Sequence, residues 1–379
     1  MLPDVGGGAG QPGRERPAPP HGGDVYAAAA RWGLDPDRVL DFSANLNPFG
    51  PPPGVVEAVR AALGRIRLYP EPHSATLAAA LAEREGVPAP AVVVGAGATE
   101  LIRLAALLAR GGVAVAPSPT FGEYPRAVEA AGGTWVSVPL DPDRGFRPDV
   151  AALGGAARAA RARLFFLCNP NNPTGVLLPA GEVLELAGVL AAQDCLLVVD
   201  ESFVDLTPDP PAASVLAEAP RRPGLVVIRS LTKFYALPGL RLGYAVAAPA
   251  LAGALRRLQD PWSVGALAQV AGRQALAEEA YAARTRAWVA EEPARLYREL
   301  AAIPGLRPLP PAANFILVDG SSTGLAAWEL QERLGPLGIL IRDCRSFGLP
   351  AGYFRVAVRT REDNARLLAA LRRALGEGV

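Results

Sequence analysis

SLTKFYALPGLRLGY, residues 230–244, follows the apolar run Leu225–Arg229 (LVVIR) with no linker between them. A run so short, so rich in β-branched residues and free of polar alternation predicts a strand buried on both faces. It stops at Ser230, so a hydroxyl, the amine of Lys233 and the guanidinium of Arg241 follow one another just past a strand end. Lys233 is the single lysine among the 38 basic residues of the chain. Arginine replaces lysine wherever only positive charge is needed, but it does not deprotonate in a protein and does not form an imine with an aldehyde. The one retained amine therefore points to amine chemistry.

Two more runs behave alike: Leu164–Cys168 (LFFLC) stops at Asn169, and Cys195–Val199 (CLLVV) stops at Asp200. Ligands of open α/β sheets bind beyond the carboxyl ends of the strands, so three polar stops predict one shared site. Strand candidates Ala91–Gly95 and Val113–Pro117 alternate with helical stretches Thr99–Ala109 and Phe121–Ala131. This alternation predicts an α/β fold with a mostly parallel central sheet flanked by helices. After Trp262 the texture changes to a long helical stretch from Val264 to about Ala302. Strand candidates follow at Asn314–Val318, Gly338–Arg342 and Phe354–Val358, with a closing helix Arg361–Leu375. The C-terminal part thus reads as a smaller α+β domain. With the family resemblance carried by the motifs that follow, the expected plan is a disordered tail at 1–20, an N-terminal arm at 21–50 packing on the small domain and active site, a large domain at 51–262, and an interdomain helix with the small domain at 263–379.

Composition narrows the partners. The 379 residues carry 38 basic and 37 acidic side chains, a formal net charge of +1, which supplies no field for nucleic acid or anionic lipid. The longest uncharged stretch of the second half, Leu242–Leu255, is too short to cross a bilayer and is broken by Gly243, Pro249 and Gly253. The Gly/Pro-rich first twenty residues have no apolar core of a secretion signal, which favours the cytoplasm. Cys168, Cys195 and Cys344 are widely spaced and odd in number, so reduced thiols are expected rather than disulfides. With only His21 and His73, no metal site is expected. A small-molecule partner remains.

Gly95-Ala-Gly-Ala-Thr-Glu100 follows a strand and opens a helix, where free backbone N–H groups and the helix dipole cradle phosphate. A dinucleotide fingerprint needs a third Gly where Glu100 stands, so a phosphate cup is predicted instead of a nicotinamide site. Cys168-Asn-Pro-Asn-Asn-Pro-Thr-Gly175 adds side-chain amides, and Asp200-Glu201 adds carboxylates. An amine, a carboxylate, an amide and a phosphate cup are the parts required to hold pyridoxal 5'-phosphate as an electron sink.

NPNNPTG (169–175), DESF (200–203) and residues 230–244 resemble, in order and spacing, the motifs of fold-type I pyridoxal phosphate enzymes, the aspartate aminotransferase superfamily. The resemblance spans nearly the whole chain after the tail. It implies that Lys233 bonds the cofactor aldehyde and later carries a proton at the substrate's α-carbon. It also implies that Asp200 pairs with the pyridine nitrogen and Asn172 with the ring's 3-oxygen. Ala98, Thr99, Ser230 and Arg241 would bind the cofactor phosphate, and Phe121 would stack on the ring. Tyr69 in LYPEP resembles the tyrosine that reaches the neighbouring subunit's cofactor phosphate, which implies a homodimer with shared sites. Arg355 in YFRVAVRT resembles the arginine that grips the substrate's α-carboxylate.

Within the superfamily, HGGDVYAAAARWG (21–33), DFSANLNPFGPP (41–52), PWSVGALA (261–268) and ILIRDC (339–344) resemble the threonine-phosphate decarboxylases of cobalamin biosynthesis. The histidinol-phosphate aminotransferases are the next resemblance. Phe203 stands where most aminotransferases have a tyrosine directed at the ring's 3-oxygen, and the decarboxylase branch shares this phenylalanine. Both branches use phosphorylated substrates, whose phosphate Arg342 is expected to bind, with His21 and Asn45 nearby. Two residues depart from the pattern: Ala96 and Gly265 stand where Asn is usual.

Overall fold

The computed structural model describes residues 19–376, so the expected tail, apart from Pro19 and Pro20, lies outside the described residues. Along these residues run the strands β1 (Leu40–Asp41), β2 (Val92–Gly95), β3 (Val113–Ser118), β4 (Thr134–Pro139), β5 (Leu164–Cys168), β6 (Leu196–Asp200) and β7 (Leu225–Ser230). They continue as β8 (Gly243–Ala247), β9 (Arg307–Pro308), β10 (Phe315–Asp319), β11 (Ile339–Leu340), β12 (Arg342–Asp343) and β13 (Tyr353–Ala357). Seven strands form the central sheet in the order β2-β8-β7-β6-β5-β3-β4. All are parallel except β8, which runs antiparallel to both neighbours.

The central strands read as unbroken apolar runs because both faces are covered. Phe165, Leu167, Leu197, Val199 and Val227 enter one core, packed under the helices Ala75–Glu85, Val150–Ala159 and Ala180–Ala191. The alternate residues Phe166, Val198, Val226 and Ile228 enter the other, under Ala98–Leu108, Glu123–Ala130 and Pro249–Leu258. This is the period-2 division of a strand, and each such side chain contributes about 1.5–3 kcal/mol by leaving water. Cys168 lies opposite Asp200, and Asp200 opposite Ile228. Parallel register therefore brings the three polar stops, Asn169, Asp200 and Ser230, to one end of the sheet.

Two expectations need correction, and three elements were not expected. β4 and β8 were not anticipated: β4 (TWVSVP) is an edge strand with half-exposed side chains, and β8 (GYAVA) lies inside the uncharged stretch 242–255. The helical stretch 264–302 is two helices, Ala266–Leu276 and Glu279–Ala301. The strand expected at 338–342 is instead two short ladders, because Ile341 N donates to the Gln331 side chain (2.7 Å), not to a strand. The helix Ala327–Leu334 was also unforeseen.

The smaller domain is an antiparallel sheet in the order β12-β13-β10-β9, with a core around Ile316, Val318, Phe354, Val356 and Leu367. β1 pairs with β11, and Phe42 of the arm is buried in the same core. The arm is also tied to the large domain and to the helix Glu279–Ala301. Asn47 N donates to Lys233 O (3.1 Å), and Asn47 Nδ2 donates to Phe234 O and Thr285 Oγ1, both at 2.8 Å.

Candidate active site

A cavity of about 410 Å³ opens at the carboxyl ends of β5, β6 and β7, where the large domain, the small domain and the arm meet. Ala98, Thr99, Phe121, Asn172, Asp200 and Ser230 line it from the large domain. Lys233 and Arg241 line it beside them, Arg342 and Arg355 face it from the small domain, and His21 and Asn45 from the arm. Tyr69 is not in this cavity. It stands 82% exposed on the surface, its ring centroid 5.0 Å from that of Trp262.

The cup takes its shape from Gly97, whose φ of +79° lies in the left-handed region. A Cβ there would come 2.9 Å from Arg241 Nη2, so the glycine lets the guanidinium settle onto the start of the helix Ala98–Leu108. No side chain caps that helix start, which leaves its N–H groups for an anion. Ala96 N donates to Glu100 Oε2 at 2.6 Å, and the Ala96 side chain takes no part in the cavity wall.

Lys233 is partly exposed to the cavity, with its Nζ 5.8 Å from the Phe203 ring centroid. Desolvation, then the charges of Arg355 and Arg241, lower its amine from 10.5 to about 8, against the opposing pull of Asp200. Asp200 is buried. Burial pushes its carboxyl above the ordinary carboxylate range, and bonds from Ser202 N (3.0 Å) and Tyr124 OH (2.8 Å) act against that rise. Tyr124 was missed in the sequence; its signal was its place one helical turn beyond Phe121. Cys168, beside Asp200, has its thiol raised to about 12 by burial and then by that carboxylate, so it stays protonated at neutral pH.

Arg355 donates to Asn172 Oδ1 and, at 2.6 Å, to Ser43 O, while its buried Nε has no partner. Burial lowers its guanidinium to about 10, which still leaves it charged near neutrality. Asn45 Oδ1 is likewise buried without a partner. Arg342 donates to the carbonyls of Pro19 (2.5 Å) and Pro20 (2.8 Å) and to Ser346 Oγ (2.6 Å). Glu123 and Ser43, both at the cavity, were also missed, since neither belongs to a motif that names its role.

A model of the family described as aminotransferase class I and II matches residues 37–371. The chain belongs to that family. Pyridoxal phosphate is the cofactor of this aminotransferase-family enzyme. Threonine-phosphate decarboxylase of Salmonella typhimurium is 40% identical over 358 residues, covering 94% of this chain and 96% of that protein. A histidinol-phosphate aminotransferase of Symbiobacterium thermophilum is 38% identical over 342 residues, covering 90% and 91%. The solved histidinol-phosphate aminotransferase from Sinorhizobium meliloti, in complex with pyridoxal-5'-phosphate, superposes with a TM-score of 0.83 at 28% identity, covering 93% of this chain and 94% of that one.

The cavity of this family member fits the cofactor on its own chemistry. An uncapped helix start beside Arg241 suits a phosphate, and a desolvated amine suits an aldehyde. A buried carboxylate with two hydrogen-bond donors suits a ring cation.

Proposed function

We propose that this enzyme decarboxylates L-threonine O-3-phosphate to (R)-1-amino-2-propanol O-2-phosphate, a step of cobalamin biosynthesis. The observation that carries the proposal is Phe203, set against the Lys233 amine where most aminotransferases place a tyrosine hydroxyl. The 40% identity to a threonine-phosphate decarboxylase supports it. Bound at Lys233, pyridoxal phosphate supplies a sink for the electron pair left on the α-carbon when carbon dioxide departs.

The chain's own residues do the rest. Ala98, Thr99, Ser230 and Arg241 would anchor the cofactor phosphate, while Asp200, held by Tyr124 and Ser202, would keep the pyridine nitrogen protonated. Phe121 would pack against its ring and Asn172 would offer its amide to the ring's 3-oxygen. Arg355, with an unpartnered Nε, takes the α-carboxylate and sets the orientation of the bond that breaks. Lys233 returns a proton to the α-carbon, a task suited to an amine lowered to about 8. Arg342, Asn45 and His21 bind the substrate phosphate, and the arm over the cavity excludes water.

A second copy of the chain completes the site. Leu63, Ile66, Leu68, Tyr69, Leu258 and Trp262 stand exposed, and the Tyr69 ring packs against that of Trp262. A homodimer would cover them and bring Tyr69 to the neighbouring cofactor phosphate.

Histidinol-phosphate aminotransferase is the alternative, favoured by a relative of 38% identity. Incubation with each substrate separates the two. Carbon dioxide released from threonine phosphate without an amino acceptor supports decarboxylation. Glutamate formed from histidinol phosphate and 2-oxoglutarate, with no carbon dioxide from threonine phosphate, overturns it.

A further inference from the structure

Glu123 opens the helix Glu123–Ala130, two residues beyond Phe121, and is buried although it lines the cavity. Two arginines and a histidine surround it. Its Oε1 accepts from His21 Nε2 (3.0 Å) and Arg126 Nη1 (2.8 Å), and Arg103 Nη2 lies 3.7 Å from Oε2. A carboxylate only accepts hydrogen bonds, so Nε2 carries the hydrogen and Nδ1 is the polar atom left to the ring. His21 and Arg126 line the same cavity.

His21 sits on a strap held on both sides. Before it, the Pro19 and Pro20 carbonyls lie on Arg342 of the small domain. After it, Gly22 passes so close to Ser43 that a Cβ would meet Ser43 O at 2.3 Å, and Gly23 N donates to Ser43 Oγ at 2.7 Å. The His21–Glu123 bond is the strap's polar link to the large domain. One buried carboxylate thus fixes an imidazole and a guanidinium at a cavity that Arg342, bonded to the two residues before His21, also lines.

We propose that Glu123 is a positioning residue for substrate selection: it pins His21 and Arg126 so that, with Arg342, they form a pocket for the phosphate monoester of the substrate. This deepens the proposed function and rests on its phosphorylated substrate, but not on which bond the enzyme breaks. Glu123 reaches the phosphate only through the two side chains that it orients. An acidic residue in the first turn of a helix also stabilises that helix, and this purely structural role would lower thermal stability without changing the preference for phosphate.

The test compares the holoenzyme's dissociation constants for L-threonine O-3-phosphate and L-threonine, followed by the cofactor's absorbance. In the wild type the phosphorylated ligand should bind far more tightly; no such preference, for this pair or for histidinol phosphate over histidinol, would sink the functional reading itself. Given that preference, Glu123→Gln should reduce the ratio at least tenfold, and the loss of turnover should appear in KM more than in kcat. His21→Gln, at an exposed position, should reproduce most of the loss, and the double variant should lose little more, since both break one link. A preference retained in Glu123→Gln, or retained in His21→Gln should the first variant not fold, overturns the inference.

Discussion

Lys233 joins the chemistry of the site to the pH dependence of the fold. In the unfolded chain its amine titrates near 10.5, and in the folded chain near 8. Between these values the unfolded state binds more protons, so this residue makes the cofactor-free protein more stable as pH rises from 8 to 10.5. Below pH 8 both states hold the proton and the folded state bears the full cost of the buried charge, about 3 kcal/mol. The thiols of Cys168, Cys195 and Cys344, raised by burial to about 12, act in the opposite sense over much of the same range. The measurement is therefore a difference: urea unfolding of cofactor-free wild type should gain about 3 kcal/mol on Lys233→Met between pH 8 and 10.5. Parallel pH curves for the two proteins would refute the lowered amine. Lys233 was legible because it is the one lysine; its lowered affinity for protons was not, because burial causes most of it and Arg355 adds its charge from the other domain.

At the scale of elements, the ends of β6 and β7 are locked by charges that lie behind the site. Arg229 donates to Glu201 Oε2, Asp205 Oδ1 and Ser214 Oγ, each at 2.8 Å, and both Arg229 and Glu201 are buried. Each is next in sequence to a site residue, Ser230 and Asp200. Arg229→Met leaves the Glu201 carboxylate buried without its cation and should cost about 3–5 kcal/mol in urea unfolding. Adding Glu201→Leu should recover most of that loss, because it is the stranded charge that is expensive. A cost below about 1 kcal/mol for the single variant would show the network to be solvated. The apolar runs of β5, β6 and β7 announced these strands, and their polar stops announced the shared end. β4 and β8 escaped notice because an edge strand is half exposed, and because a glycine- and alanine-rich strand has weak periodicity.

For the whole molecule, the question is whether a site draws on two chains. If Tyr69 completes its neighbour's site, mixing Tyr69→Ala with Lys233→Ala should create hybrid dimers with one intact site. Random re-association then restores about a quarter of wild-type activity, whereas either variant alone stays near background. A tyrosine acting within its own chain would restore none.

Local chemistry needs only neighbours along the chain. Order and spacing of the motifs were therefore enough to nominate an amine, a carboxylate, an amide and a glycine-rich turn that meet at one cavity, and to foresee a sheet followed by a smaller domain. Folding alone could bring His21 to Glu123, 102 positions apart, and set the carbonyls of Pro19 and Pro20 on Arg342, more than 320 positions away. Such contacts arise from the packing of arm, sheet and small domain against one another. No periodicity or short motif encodes the distance between residues that meet only when separate elements close over the same space.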